Sequence, residues 1–355
     1  MSTGAAGAGP VVGIVGGGQL ARMLAEAASP LGVRVRVLAG PSDEGAREVV
    51  PDVVTGAADD PDALRAFAAG VDVVTFDHEN VDHPALEAIE RSGVPVRPGV
   101  GTLRYSDKAH QRRTFSAAGL PVPHFAIVDP VREPVAAVDA ARRFADSHAG
   151  GGRVVAKASR GGYDGRGVWM LGVDELSPFL AEYGGAPLVL EPELELEREV
   201  AVLVARRPSG EVAVWPVLET VQVGGMCDEV LLPAPVPAGL ARTAARVGEA
   251  VAETTQAVGV VAVELFVVAG EDGPALLVNE IAPRVHNSGH LTIEACRTSQ
   301  FEQHLRAVLD WPLGPVDPVV PAADMANVVG GASGDPRDRQ AAALAAVPHA
   351  HLHLY

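Results

Sequence analysis

Glu264 and Glu280 flank the turn Gly270-Glu271-Asp272-Gly273, each inside an apolar run: Val261-Ala262-Val263-Glu264-Leu265-Phe266 and Leu276-Leu277-Val278-Asn279-Glu280-Ile281. A hairpin centred near Asp272 sets the two glutamates opposite each other on one sheet face. Like charges so placed on an apolar surface repel and resist desolvation unless a cation lies between them. Their hard oxygens, with the Asn279 amide alongside, suit Mg2+, or Mn2+ in its place, bridging phosphates. Lys157 ends a second apolar run, Val154-Val155-Ala156, and precedes Gly161-Gly162-Tyr163-Asp164-Gly165-Arg166-Gly167. Glycine at 161, 162, 165 and 167 makes a flap whose backbone approaches a polyphosphate closely, and Arg166 adds a cation. Directly after the Glu280 strand, Arg284-Val285-His286-Asn287-Ser288-Gly289-His290 crowds a guanidinium, two imidazoles, an amide and a hydroxyl together. Such density beside a metal pair suits substrate holding, and Arg284 can grip a phosphate or carboxyphosphate bidentately.

Of 28 basic residues only Lys108 and Lys157 are lysine, which leaves 26 arginines. A lysine kept in so arginine-rich a chain marks a place that needs a compact ammonium. Glu191 closes the run Leu188-Val189-Leu190, as expected of a strand that reads a nucleobase or ribose edge, and Glu199 opens the next strand. His349, His351 and His353 alternate along one strand face and read as structural, not as a metal site.

These residues need elements to hold them. The chain opens with a strand at Val11–Val15, the turn Gly16-Gly17-Gly18-Gln19 and a helix to Ala28; strands follow at 33–38 and 71–76. Alternating strands and helices predict an α/β fold with parallel units. The glycine turn matches a loose dinucleotide fingerprint and is a natural anion site. However, the second strand ends in Leu38-Ala39-Gly40, without an acid for a ribose hydroxyl. His78-Glu79-Asn80 falls at the carboxyl end of a strand, the usual ligand edge. A linker is expected at 94–101, a helix at 109–118 capped by Ser106 or Asp107, and helices at 134–147, 174–182, 240–259 and 300–309. A Pro-rich joint spans 312–321.

The net charge of −17 argues against coating nucleic acid or lying on a membrane as a basic helix. The longest apolar stretch, 258–270, is interrupted by Glu264 and too short for a bilayer. Residues 1–10 read as a floppy tail without signal-peptide character, and the lone Cys227 and Cys296 fit a reducing cytoplasm.

With GGGQLARM at 16–23, GGYDGRG at 161–167 and NEIAPRVHNSGH at 279–290, the chain resembles the ATP-grasp ligases, and among them the N5-carboxyaminoimidazole ribonucleotide synthase family. The resemblance runs from about Val11 to Tyr355. It implies a Rossmann-like domain at 11–106, a two-part ATP-grasp domain at 107–312 with a flap subdomain near 124–188, and a small C-terminal domain at 313–355. It also implies a homodimer whose partners are ATP, bicarbonate and 5-aminoimidazole ribonucleotide.

Carried over position by position, Lys108, Lys157, the flap 161–167, Glu191, Glu199, Gln222, Asn279 and Glu280 serve the nucleotide, and Glu264 and Glu280 bind the metal. Gln19, Glu79, Asn80, Arg284, His286, Asn287 and Ser288 serve ribonucleotide and bicarbonate, with Arg284, Asp164 and Arg166 at the reaction itself. Two departures stand out. Gln222 replaces the family's histidine and cannot titrate, and the family's basic segment is expected beyond Tyr355, so the C-terminal domain reads as truncated. The competing readings are another ATP-grasp ligase such as formate-dependent glycinamide ribonucleotide transformylase, a non-catalytic nucleotide binder, and a nicotinamide-dependent oxidoreductase.

Overall fold

A computed structural model describes residues 9–150, 152–162, 166–270, 273–330 and 336–355. The floppy tail assigned to 1–10, apart from residues 9 and 10, lies outside them, as do Tyr163, Asp164 and Gly165 of the flap and the tip of the 270–273 turn.

The first sheet forms around β1 (Val11–Val15), buried at every position. Its parallel neighbours are β2 (Arg34–Ala39) and then β3 (Asp52–Thr55) on one side, and β4 (Val73–Phe76) on the other. The strand expected as third is therefore fourth. The intervening β3 has exposed ends and only four residues, too few for an alternating pattern to declare itself. Helix α1 (Gln19–Ala28) joins β1 to β2, α2 (Pro61–Ala68) joins β3 to β4, and α3 (His83–Arg91) follows β4; Asp60 and Asp82 cap the last two by accepting backbone N–H groups. The expected linker at 94–101 proves partly structured. Val96 bridges Val74 in parallel, and a one-turn helix, α4 (Val100–Leu103), begins inside it.

Asp107 caps α5 (Lys108–Ala117) by accepting from the Ala109 and His110 amides. A four-stranded sheet follows, in the order β5 (Ala126–Val128), β8 (Leu188–Pro192), β6 (Arg153–Ala158) and β7 (Val168–Gly172). It is backed by α6 (Pro134–Phe144) and α7 (Val173–Glu182). The helix expected to reach 147 leaves α geometry after Phe144 and continues as a wider turn to Ala149.

The largest sheet runs β14 (Ala275–Ala282), β13 (Gly259–Val268), β9 (Leu196–Arg206), β11 (Leu218–Val223), β12 (Met226–Leu232) and β15 (Ala323–Ala326), with β10 (Val212–Val214) paired to β9. Glu199, expected to open a strand, lies inside β9 opposite Phe266 and Thr220. Alternation divides this sheet between two cores. Val200, Val202, Val204, Val261 and Val263 pack under α8 (Ala238–Thr255). Ala201, Leu203, Ala205, Val260 and Ala262 face α10 (Gln300–Val308), which follows the short α9 (Thr292–Ala295), and α1 of the first sheet. Each fully buried valine or leucine contributes roughly 1.5–3 kcal/mol by leaving water. Because one core is shared by α1, α10 and the large sheet, the first sheet is fixed against the strands that carry Glu264 and Glu280. A last helix, α11 (Gln340–Ala346), is exposed.

Candidate active site

Strands β13 and β14 pair as the hairpin register requires, with Glu264 directly opposite Glu280. The ladder then shifts, so that Leu265 meets Val278 and Asn279 is the extra residue of a bulge. A bulge re-aims the side chains beside it. Here Val278 and Ile281 stay in the core under α8 while both polar residues between them line the cleft.

That cleft, of about 3040 Å³, is bounded by all three sheets and the C-terminal segment. Ordinary ligand pockets hold about 300–1,000 Å³, so two substrates fit here together. Of the residues singled out by sequence, Gln19, Glu79, Asn80, Lys108, Lys157, Gly161, Gly162, Glu191, Glu199, Gln222, Glu264, Asn279, Glu280, Arg284, His286 and Asn287 all line it. Ser288 is buried behind the wall, where its hydroxyl meets His286 Nδ1 at 2.9 Å. Asp164, with Tyr163 and Gly165, lies outside the described residues, so its expected role has no geometry. Arg166 and Gly167 lie at the flap's base. Gly161 and Gly167 have φ of +76° and +74°, and a Cβ on Gly162 would stand 2.7 Å from the Arg166 carbonyl.

Both lysines reach the hairpin. Lys108, first residue of α5, ion-pairs with Glu280. Lys157 Nζ is 3.0 Å from Asn279 Oδ1, 2.8 Å from Glu191 Oε2, and 5.4 Å from the Phe266 ring centre. Burial, and then the neighbouring Lys157 charge, pull the Lys108 ammonium down to about 8. Burial raises the Glu264 carboxyl, against the pull of both lysines, and burial followed by the Glu264 charge pushes Glu199 up to about 7. The site thus gathers acids that resist ionising together, as a cation-binding cluster does before its cation arrives.

Arg112 belongs to none of the motifs visible in the sequence. It sits one turn after Lys108 on α5, with only 3% of its side chain exposed. Its Nε donates to Glu191 Oε1 at 2.6 Å and its Nη1 to the Val278 carbonyl at 3.0 Å. Burial alone would raise Glu191; Lys157 and Arg112 outweigh it and hold the carboxylate below its ordinary range. Glu191, itself 3% exposed, is therefore committed to two cations and fixes Lys157. The i, i+4 spacing of Lys108 and Arg112 was the one available signal.

The other half of the cleft belongs to the first sheet. The Gly18 amide, expected to face an anion, donates instead to Asp77 Oδ2 at 2.5 Å. Asp77 is buried, which raises its carboxyl against that amide bond. A carboxylate so placed takes up the helix terminus and counts against the dinucleotide reading. Glu79 Oε1 lies 3.0 Å from Arg284 Nε, joining the two halves, and His286 Nε2 lies 3.3 Å from Glu264 Oε1. At the far wall His353 Nε2 meets Glu294 at 2.9 Å with His351 nearby, and no group of three or more His, Cys, Asp or Glu that could hold a metal occurs among the described residues.

Comparison with known proteins accords with this arrangement. Residues 113–301 match the ATP-grasp domain, and residues 10–107 match the ribonucleotide synthetase preATP-grasp domain. The N5-carboxyaminoimidazole ribonucleotide synthase of Mycobacterium tuberculosis is 47% identical over 98% of this chain and 80% of its own length. The Aspergillus clavatus N5-carboxyaminoimidazole synthase, solved with ADP and 5-aminoimidazole ribonucleotide, superposes with a TM-score of 0.85 at 30% identity, covering 98% of this chain and 89% of that one. The Thermus thermophilus N5-carboxyaminoimidazole ribonucleotide synthetase gives 0.83 at 36% identity, covering 96% and 88%. An ATP-grasp domain fused to a ribonucleotide synthetase preATP-grasp domain, with this identity across nearly the whole chain, makes the protein a member of the N5-carboxyaminoimidazole ribonucleotide synthase family.

Proposed function

We infer that the chain uses ATP to carboxylate 5-aminoimidazole ribonucleotide, giving N5-carboxyaminoimidazole ribonucleotide, ADP and phosphate in purine biosynthesis. The observation that carries this reading is one continuous cleft. Its lysine-and-acid half, around Lys108, Lys157, Glu264 and Glu280, meets its first-sheet half through the Arg284–Glu79 pair. The working units are 11–106, 107–312 with a flap subdomain near 124–188, and 313–355, which lends β15 to the edge of the large sheet.

Bicarbonate oxygen attacks the γ-phosphorus of ATP, the bond to ADP breaks, and carboxyphosphate forms. The exocyclic amine of the ribonucleotide then bonds to the carboxyl carbon, or to CO2 released from it. Phosphate departs with the oxygen that bridged carbon and phosphorus, and the amine loses a proton. Lys108 and Lys157 hold the phosphates, and Glu191, clasped by Arg112, keeps Lys157 in place. The flap, with Arg166 and Asp164, closes over the labile intermediate and excludes water. Glu199 and Gln222 line the nucleotide's side, Gln222 as a hydrogen-bonding group only. Arg284, His286 and Asn287 hold bicarbonate and the carboxyphosphate it becomes, while Gln19, Glu79 and Asn80 face the ribonucleotide. Glu264, Glu280 and Asn279 would hold Mg2+ or Mn2+, since the donors they bring to the cleft are hard oxygens. When bound, that cation neutralises phosphate charge during transfer. The enzyme works in the cytoplasm as a homodimer.

The first test is ADP release at fixed bicarbonate and Mg2+, with and without the ribonucleotide. Stimulation by the ribonucleotide supports the assignment; its absence, or formate replacing bicarbonate, rejects it. A pH profile tests the lysine role separately. Protonated Lys108 holds phosphate, and the free enzyme loses that proton as pH rises through about 8. Hence kcat/KM for ATP falls above about pH 8, and Lys108→Arg, whose charge persists, shifts that limb to higher pH. An unchanged limb in the variant would remove Lys108 from the role.

A further inference from the structure

Asn327 was not singled out by sequence and lies just beyond β15, yet it joins two walls of the cleft. Its Nδ2 donates to the Cys227 carbonyl at 2.7 Å and to Asn287 Oδ1 at 2.8 Å, and Asn287 Nδ2 donates back to Asn327 Oδ1 at 3.2 Å. The backbone holds the pair in place, since the Asn327 amide N–H bonds the Asp228 carbonyl at 2.8 Å.

The chemistry of these groups fixes which way each amide points. A backbone carbonyl only accepts, so the end of Asn327 at Cys227 must be its NH2. Its oxygen then faces Asn287, whose NH2 must turn toward it, and Asn287 keeps a second N–H to offer. We propose that Asn327 is a positioning residue for the carboxylation, setting the orientation of the Asn287 amide that holds bicarbonate and carboxyphosphate. This rests on the substrate role given to Asn287 above. It also makes the 313–355 segment part of the catalytic apparatus, because β15 delivers Asn327.

The test is a double-mutant cycle on the full chain, with Asn287→Ala, Asn327→Asp and both together. An aspartate at 327 can only accept, so it repels both the Cys227 carbonyl and Asn287 Oδ1 and no longer holds the Asn287 amide in one orientation. At saturating ATP and ribonucleotide, each single variant should lose about 10–100-fold in kcat/KM for bicarbonate, the usual cost of removing a supporting contact. KM for ATP should stay within about twofold, and the double variant should be no worse than Asn287→Ala alone. Additive losses, or a parallel rise in the KM for ATP, would make Asn327 a general structural residue and overturn the proposal. So would wild-type kinetics in Asn327→Asp beside an impaired Asn287→Ala. An Asn287→Ala enzyme with unchanged kinetics would overturn the substrate role beneath it. Should Asn327→Asp fail to fold, as judged by melting, Asn327→Ser removes the same donor pair without adding charge and faces the same criteria.

Discussion

Glu280→Gln is expected to lower ribonucleotide-stimulated ADP release by about 10²–10³-fold, because neutralising phosphate charge through a cation accounts for several kcal/mol of the barrier. The substitution keeps the side chain's size and its place opposite Glu264 in the β13–β14 register. It removes one of the two carboxylates that the hairpin turns into the cleft among the described residues, and the remaining one is raised by burial. Stability should barely change. The carboxylate is 37% exposed and its pair with Lys108 is partly screened, which limits the loss to about 1 kcal/mol and the melting shift to about 2–4 °C. The check is steady-state turnover across a Mg2+ titration alongside thermal unfolding. An active variant with unaltered Mg2+ dependence would take the hairpin out of the metal role.

Arg284→Lys should separate the two halves of the reaction. A lysine keeps the charge but loses the planar fork with which Arg284 is proposed to grip carboxyphosphate, so the exchange is not conservative. Arg284 is also the cation that faces Glu79 across the cleft. We expect ribonucleotide-dependent ADP release to fall about 10²–10³-fold, the cost of losing one well-placed oxyanion donor. ATP affinity should hold within about twofold, since the lysines and the hairpin that receive the phosphates are untouched. Calorimetric ATP binding beside turnover reads both quantities. Equal losses in the two would mean that Arg284 serves the nucleotide and not the carboxyl transfer.

How much of this was legible in the sequence depends on the range of the interactions involved. Glu264 opposite Glu280 could be read from a hairpin, because register follows from a local turn. The bulge at Asn279 could not, since nothing in Leu276–Ile281 marks one residue as extra. Lys108 and Lys157 were conspicuous by their rarity, whereas Arg112 was hidden among 26 arginines despite being the most buried cation in the site. The glycine turn looked like an anion cradle because its local pattern is one. Only the fold shows that Asp77, far along the chain at the end of β4, fills that helix terminus first. Asn327 had no signal at all, for its partners Cys227 and Asn287 are distant in sequence. The net charge of −17 likewise needed the fold to make sense. Lys108, Lys157 and Arg284 are concentrated on one cleft, a local cationic field inside an acidic chain that suits anionic substrates.

In the proposed reaction ATP activates bicarbonate as carboxyphosphate for transfer to the ribonucleotide. It is tested most directly by freshly dissolved ¹⁸O-labelled bicarbonate, with mass analysis of the phosphate released. The expected result is that each phosphate formed in step with ADP carries one oxygen from bicarbonate, and that its formation is stimulated by 5-aminoimidazole ribonucleotide. Ribonucleotide-stimulated phosphate free of that oxygen would contradict it, since the γ-phosphoryl group would then have passed to water or to the ribonucleotide itself.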